Sequence, residues 1–174
     1  MFELDVLLFD RLTSWRAPWL DTAMAAFSHV GGFGFVWLVM AVVAAFSPAR
    51  RAAAFRLVLA IGLTFLVVDA VLKPAIGRDR PFQVLTGVQV IDTRPVTHSL
   101  PSGHAASAFA GALAASQIWP AARLPLFALA SAIALSRVYV GVHFPFDVFA
   151  GAITGLACAW LVLGGRRPPP ASWG

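Results

Sequence analysis

The chain has 174 residues, of which 59% are hydrophobic and only 12% are charged, against roughly 25% charged in an ordinary soluble domain. This composition excludes a soluble globular protein and predicts a single membrane domain over residues 1–174. The net charge of +5 does not indicate nucleic-acid binding, because the basic residues lie at the ends of apolar stretches and in short motifs, without forming a continuous stripe.

Residues 1–18 are predicted to form an amphipathic helix that lies in the membrane interface. Apolar residues alternate there with Asp5, Asp10 and Arg11 at near-helical spacing. The acidic residues also interrupt the stretch where a cleavable signal peptide needs an apolar core. We therefore expect the first membrane helix to act as an uncleaved insertion signal.

Residues 19–164 are predicted to form a transmembrane bundle, because apolar stretches near the ~20 residues needed to cross a bilayer follow one another. Gly31, Gly32 and Gly34 predict a kink or a close helix contact in the first span. Cys158 has no partner cysteine, so we interpret it as a packing residue. The fold class is an all-α polytopic membrane helix bundle with about five spans, at approximately 19–46, 52–72, 102–119, 121–142 and 145–164.

The remaining segments are a long loop at 74–100, which carries most of the turn and charge chemistry, and a tail at 165–174. Three consecutive prolines, Pro168 to Pro170, predict a disordered tail.

Basic residues at the short connections predict the orientation, since cytoplasmic connections carry the excess of Lys and Arg. If the chain crosses the membrane five times in alternating directions, the basic residues at its short connections all lie on the cytoplasmic face: Arg50, Arg51, Arg56, Arg123, Arg166 and Arg167. The long loop and His143 then lie outside. The sequence therefore predicts a multi-pass protein of a bacterial inner membrane, with its site facing the periplasm or the outside.

Three short clusters of polar residues return to the predicted outer face, at 73–81, 101–104 and 136–147. Ionisable groups at a membrane edge are costly, so their default interpretation is functional. Cations that meet two histidines indicate a bound anion whose chemistry needs proton transfer.

The second cluster opens a helix and predicts a phosphate site. Ser102 can cap the helix, Gly103 lets a ligand approach the backbone, and free amides at a helix N-terminus bind phosphate. Lys73, Arg80 and Arg137 would add positive charge around the phosphate oxygens without a metal ion. The sequence predicts no metal and no cofactor.

The two histidines of these clusters are the predicted catalysts. His143 and Asp147 are four residues apart at the start of the last span, so the carboxylate can hold one imidazole nitrogen and leave the other free to attack phosphorus. His104 is then available to protonate the leaving oxygen.

Other polar residues receive structural interpretations. Asp69, one turn before Lys73, is expected to be its partner. Arg78 is left between two interpretations, a contact to a second phosphate or a residue that lines the loop. The residues expected to be interfacial or solvated are His29, His98, Asp92 and Arg94.

Together these patterns resemble the three signature motifs of the type 2 phosphatidic acid phosphatase superfamily. The matches are Lys73 with Arg80 and Pro81, then Pro101 to His104, then Ser136 and Arg137 with His143 and Asp147. The resemblance implies that His143 becomes a phosphohistidine, that Asp147 orients it, and that His104 acts first as acid and then as base. Many bacterial members have six spans, whereas this chain shows none ahead of the interfacial helix, so we expect a different wall of the lipid cleft.

Within this superfamily the chain resembles bacterial undecaprenyl pyrophosphate phosphatases and phosphatidylglycerophosphate phosphatases. The resemblance implies an undecaprenyl or related polyprenyl pyrophosphate as substrate, with phosphatidylglycerophosphate, phosphatidate and lipid A 1-phosphate as alternatives. The expected partners are this lipid and the surrounding membrane lipids. A rival from another class is a carrier or flippase that binds lipid phosphate with the same basic pocket but needs neither histidine.

Overall fold

The computed structural model describes residues 2–165, and these residues form helices, turns and loops with no strand. Short 3-10 helices lie at Gly32–Gly34, Pro48–Arg50 and Pro120–Ala122, and a π-helix lies at Leu66–Leu72. The α-helices are α1 Phe2–Thr13, α2 Pro18–Gly31, α3 Phe35–Ala45, α4 Arg51–Phe65, α5 Lys73–Ile76, α6 Pro81–Val84, α7 Gly103–Ala115, α8 Arg123–Tyr139 and α9 Pro145–Val162.

Helix α1 has apolar side chains on its exposed face and on its buried face. Leu4 and Leu7 are exposed, as suits a helix that lies in a membrane interface. Asp5 and Phe9 point inward and are almost completely buried. The helix therefore contacts both the surroundings and the body of the protein.

The first predicted span is kinked at its glycines. Helices α2 and α3 are joined by the 3-10 turn Gly32–Gly34, in which Phe33 and Gly34 have φ angles of 50° and 70°. This left-handed conformation suits glycine and is uncommon for phenylalanine. A side chain at Gly31 would collide with Ile133 of α8. Both expected consequences of the glycines, the kink and the close helix contact, are confirmed.

The second span changes its winding before the first signature motif. The π-helix Leu66–Leu72 follows α4 directly and leads into α5, whose first residue is Lys73. A π-helix bonds each amide to the carbonyl five residues back and is frequent at functional sites. Lys73, which follows the π-helix directly, lies in a buried position at the end of the bundle.

Helix α7 is the centre of the bundle and packs against α4, α8 and α9. Most of its residues are buried and small, which lets the neighbouring backbones approach closely. A side chain at Gly155 of α9 would collide with the backbone carbonyl of Ala106. Cys158 of α9 is also buried, as expected for a packing residue.

Four helical stretches within residues 2–165 are long and apolar enough to cross a membrane: Pro18–Ala45, Pro48–Val84, Pro120–Tyr139 and Pro145–Val162. The stretch predicted at 102–119 contains the 13-residue α7, about 20 Å long at 1.5 Å per residue and enclosed by the longer helices. The predicted all-α membrane bundle is thus confirmed. The predicted tail, apart from Gly165, lies outside the described residues.

Candidate active site

The three polar clusters meet at one end of the bundle, around a cavity of about 600 Å³. Its lining includes six residues that the sequence assigned to the site: Lys73, Arg80, Gly103, His104, Arg137 and His143. The remaining lining consists of Phe33, Phe65, Asp69, Pro95, Val96, Thr97 and Ser107. The cavity is therefore lined by both cationic and apolar side chains.

The N-terminus of α7 opens at this cavity. Ser102 caps the helix, since its Oγ accepts a hydrogen bond from Ala105 N at 3.4 Å. A Cβ at Gly103 would lie 3.6 Å from Lys73 Nζ, so the missing side chain keeps space beside that ammonium group. The Ser102 amide donates to the backbone carbonyl of Asp147 at 2.9 Å, which ties the second cluster to the third.

Lys73 is held by the partner that the sequence predicted. Its Nζ donates to Asp69 Oδ1 at 2.6 Å, one helical turn away, and lies 3.4 Å from Thr97 Oγ1. The lysine side chain is 9% exposed and the aspartate side chain 40% exposed. The ammonium group is therefore fixed at the cavity while its counter-ion remains accessible to solvent.

Arg80 is the most firmly anchored cation of the site, with 1% of its surface exposed. Its guanidinium donates to three backbone carbonyls, those of Thr97, His98 and Val142, at 2.7, 3.1 and 2.8 Å. Nη1 also lies 3.2 Å from Nε2 of His143. Fixed acceptors set the orientation of a planar guanidinium, and here they place one terminal nitrogen beside the second ring nitrogen of the predicted nucleophile.

Arg137 is paired with Asp92, and this corrects the prediction that Asp92 is a solvated loop residue. Asp92 Oδ2 accepts from Arg137 Nη1 at 3.2 Å and from Ser28 Oγ at 2.6 Å, and Arg137 also contacts Ser28. Burial alone would raise the pKa of Asp92, but hydrogen bonds from Ser28 and Thr93 and the charge of Arg137 lower it to about 2. A long-range ion pair of this kind leaves no local pattern in the sequence.

His143 has different neighbours at its two ring nitrogens. Nδ1 lies 3.5 Å from Asp147 Oδ2 and 3.4 Å from Ser99 Oγ, while Nε2 lies beside Arg80. Burial, reinforced by the charges of Arg80 and Arg137, lowers the pKa of His143 from 6.5 to about 3, although Asp147 acts in the opposite direction. The imidazole is neutral at pH 7 and carries a lone pair for attack.

Asp147 is completely buried and receives several hydrogen bonds. Ser99 Oγ donates to Oδ2 at 2.5 Å, and the Phe144 amide donates to the same oxygen at 2.9 Å. Sequence reasoning missed Ser99, which is itself fully buried between Asp147 and His143. Its only signal was its position two residues before Pro101 in the long loop.

Arg78 lies behind Asp147, outside the lining of the cavity. Its Nη1 donates to Asp147 Oδ1 and its Nη2 to Asp5 Oδ2, both at 2.6 Å. The guanidinium is engaged by two carboxylates, so the structure does not support a contact to a second phosphate.

Four residues with sequence predictions remain: His104, His29, His98 and Arg94. His104 lines the cavity, and within residues 2–165 its ring makes no hydrogen bond. His29 is 71% exposed at the side chain and lies 3.8 Å from Asp92. His98 and Arg94 are exposed, as expected for interfacial or solvated residues, and the Arg94 guanidinium lies 5.5 Å from the Phe82 ring centre. Of these four side chains, only His104 lines the cavity.

An apolar helix bundle with a cationic cavity and two histidines at one end is the architecture of an integral membrane phosphatase. Residues 53–167 match the family model of the PAP2 superfamily, and the chain belongs to this family. It is 33% identical over 153 residues to the decaprenylphosphoryl-5-phosphoribose phosphatase of Mycobacterium tuberculosis, covering 86% of this chain and 84% of the relative.

Two further likenesses support this membership. The chain is 30% identical over 125 residues to the undecaprenyl-diphosphatase of Sulfolobus acidocaldarius, covering 71% of this chain and 60% of that protein. The structure superposes on the crystal structure of Aquifex aeolicus LpxE with a TM-score of 0.83 and 32% identity, covering 92% of this chain and 95% of that one. The likeness therefore extends over most of the chain.

Proposed function

We propose that this protein hydrolyses a membrane lipid phosphate or pyrophosphate through a phosphohistidine on His143, without a metal ion. The observation that carries the proposal is the arrangement of His143. Its Nδ1 faces the buried Asp147, and its Nε2 lies beside Arg80 in a cavity that Lys73 and Arg137 also line. Three cations can stabilise the equatorial oxygens of a phosphoryl group in transfer.

The reaction has two steps with separate proton transfers. Nε2 of His143 attacks phosphorus as the bond to the leaving oxygen breaks, and His104 gives a proton to that oxygen. His104 then takes a proton from water, whose oxygen attacks the phosphohistidine and releases phosphate. Asp147 stabilises the imidazolium that exists between the two steps.

A lipid substrate is supported by the apolar residues of the cavity lining, namely Phe33, Phe65 and Val96. This lining suits the first carbons of a lipid tail. We propose undecaprenyl or a related polyprenyl pyrophosphate, because two relatives carry names of polyprenyl substrates. Phosphatidylglycerophosphate, phosphatidate and lipid A 1-phosphate are the alternatives.

The test is phosphate release by the purified protein in lipid nanodiscs, measured against a panel of these lipid phosphates. His143→Ala is expected to form neither phosphoenzyme nor product with any substrate. His104→Ala is expected to recover a burst of about one equivalent on an activated aryl phosphate, whose leaving group needs no proton, and then to stall. If His143→Ala keeps activity, the nucleophile is assigned to the wrong residue.

The same assay separates hydrolysis from transport and tests the role of metal ions. A carrier or flippase would bind lipid phosphate without releasing phosphate, and His143→Ala would leave its transport intact. Orthovanadate is expected to inhibit by forming a bipyramidal adduct on His143. Activity that disappears in EDTA and returns with magnesium would contradict the metal-independent reaction.

We also propose that the site faces the periplasm or the outside of a bacterial inner membrane, from the distribution of arginines. The test is cysteine labelling in a Cys158→Ala background with a membrane-impermeant maleimide. A cysteine at the exposed position of Thr86 is expected to react in spheroplasts, and one at the exposed Ala49 only after the membrane is dissolved. The reverse pattern would contradict the orientation.

A further inference from the structure

Helix α1 docks on the segment that carries His143 and Asp147. The rings of Phe2 and Phe9 lie 5.8 and 5.7 Å from the ring of Phe144, which is fully buried. Such ring pairs stabilise a contact beyond the area they bury. Helix α1 is thus packed against the residue that follows His143.

Asp5 is buried in this contact, with 1% of its surface exposed. Its Oδ2 accepts from Arg78 Nη2 at 2.6 Å, and its Oδ1 accepts from the Phe146 amide at 2.9 Å. A buried ion pair is weak support for stability, because apolar residues of similar volume often do as well. Stabilising the docking of α1 therefore does not by itself explain why an aspartate occupies this position.

Arg78 connects Asp5 to Asp147. While Nη2 contacts Asp5, Nη1 donates to Asp147 Oδ1 at 2.6 Å, and the guanidinium lies 4.5 Å from the centre of the Phe144 ring. The guanidinium is planar and rigid, so the position of one terminal nitrogen determines the position of the other. With Oδ1 held by Arg78, Oδ2 is turned towards Ser99 and His143.

We propose that Asp5 and Arg78 are positioning residues that hold Asp147 in the orientation needed to support His143. The proposal rests on the proposed function, which gives Asp147 and His143 their roles. Asp5 also offsets the charge of Arg78, so that Asp147 keeps enough negative potential to stabilise the imidazolium. Asp5 and all of α1 lie outside the residues that match the family model, whereas Arg78 lies within them, so one half of the pair is supplied from beyond that match.

The first test compares Asp5→Asn with Asp10→Asn in the full chain in nanodiscs. Asp10 is an exposed carboxylate on the same helix, so it controls for the loss of a charge from α1. Asp5→Asn is expected to lower kcat about tenfold to a hundredfold with KM within about twofold, because a displaced support group costs catalysis while the cavity stays intact. Asp10→Asn is expected to match the wild type. Wild-type kcat in Asp5→Asn would overturn the proposal.

The second test uses Arg78→Lys, which keeps the charge but loses the two-sided geometry. A lysine ammonium cannot reach both carboxylates in the fixed arrangement of a guanidinium. The kcat of Arg78→Lys is therefore expected to fall about as far as that of Asp5→Asn. Full recovery of kcat by lysine would overturn the proposal, since charge alone would then suffice.

A double variant, Asp5→Asn with Arg78→Gln, separates positioning from folding. Arg78→Gln alone leaves the buried carboxylates of Asp5 and Asp147 without their cation, whereas the double variant leaves only Asp147 so. The midpoint of thermal unfolding is therefore expected to lie closer to wild type in the double variant than in Arg78→Gln, while kcat stays low. If kcat recovers together with stability, the pair is only a structural contact and the proposal is wrong.

His143→Ala, assayed beside these variants, distinguishes the two possible failures. If His143→Ala is inactive and the Asp5 and Arg78 variants retain wild-type kcat, only the positioning role fails. If His143→Ala retains phosphate release, the proposed function fails, and the positioning role fails with it.

Discussion

Replacing Ser99 with alanine tests whether the support of Asp147 contributes to catalysis. Asp147 receives hydrogen bonds from Arg78, Ser99 and the Phe144 amide, and its side chain is 0% exposed, so water cannot replace a lost donor. A hydrogen bond to a charged group contributes about 1.5–3 kcal/mol. At 1.36 kcal/mol for each factor of ten, kcat is expected to fall about tenfold to a hundredfold.

The assay is phosphate release at saturating and limiting substrate. Ser99 does not line the cavity, so KM is expected to change little. Ser116→Ala is the matched control, because Ser116 is a fully buried serine at the opposite end of α7, where its Oγ donates to the Leu113 carbonyl at 2.7 Å. A kcat for Ser99→Ala within twofold of wild type, or a rise confined to KM, would refute the reasoning.

Three further predictions concern charge, pH and packing. Asp92→Asn is expected to bind orthovanadate more tightly while lowering thermal stability, because Arg137 loses its counter-ion; weaker vanadate inhibition would contradict this. The folded pKa of His143 is about 3 against 6.5 unfolded, so its contribution to stability is complete above pH 6.5 and is lost as pH falls towards 3. The midpoint temperature of thermal unfolding should consequently fall more between pH 7 and 4 for the wild type than for His143→Gln. Parallel curves would exclude the protonation of His143 as the cause of the fall. Gly155→Ala is expected to destabilise the bundle by about 1–3 kcal/mol through overpacking, and Gly62→Ala, where nothing lies within 4 Å, to leave it unharmed; equal melting temperatures would contradict the predicted difference.

Local patterns in the sequence predicted several contacts that the structure confirms. Asp69 and Lys73 are one helical turn apart, and their side chains meet at 2.6 Å. Ser102 precedes a helix and caps it. These contacts join residues within four positions of each other, so helical geometry alone is enough to predict them.

The helical membrane bundle and the motif residues can be predicted from the chain alone, because apolar stretch length and short spacing encode them directly. The way in which the long loop and α1 support the site depends on how the helices pack. Asp92 pairs with Arg137 across 45 positions, and Asp5 reaches Arg78 across 73. Such pairs depend on how separate helices pack, and charge spacing along the chain carries no trace of them. For this physical reason the prediction of a solvated Asp92 is wrong. For the same reason the sequence does not decide between a phosphate contact and a loop position for Arg78, whose guanidinium contacts two carboxylates in the structure.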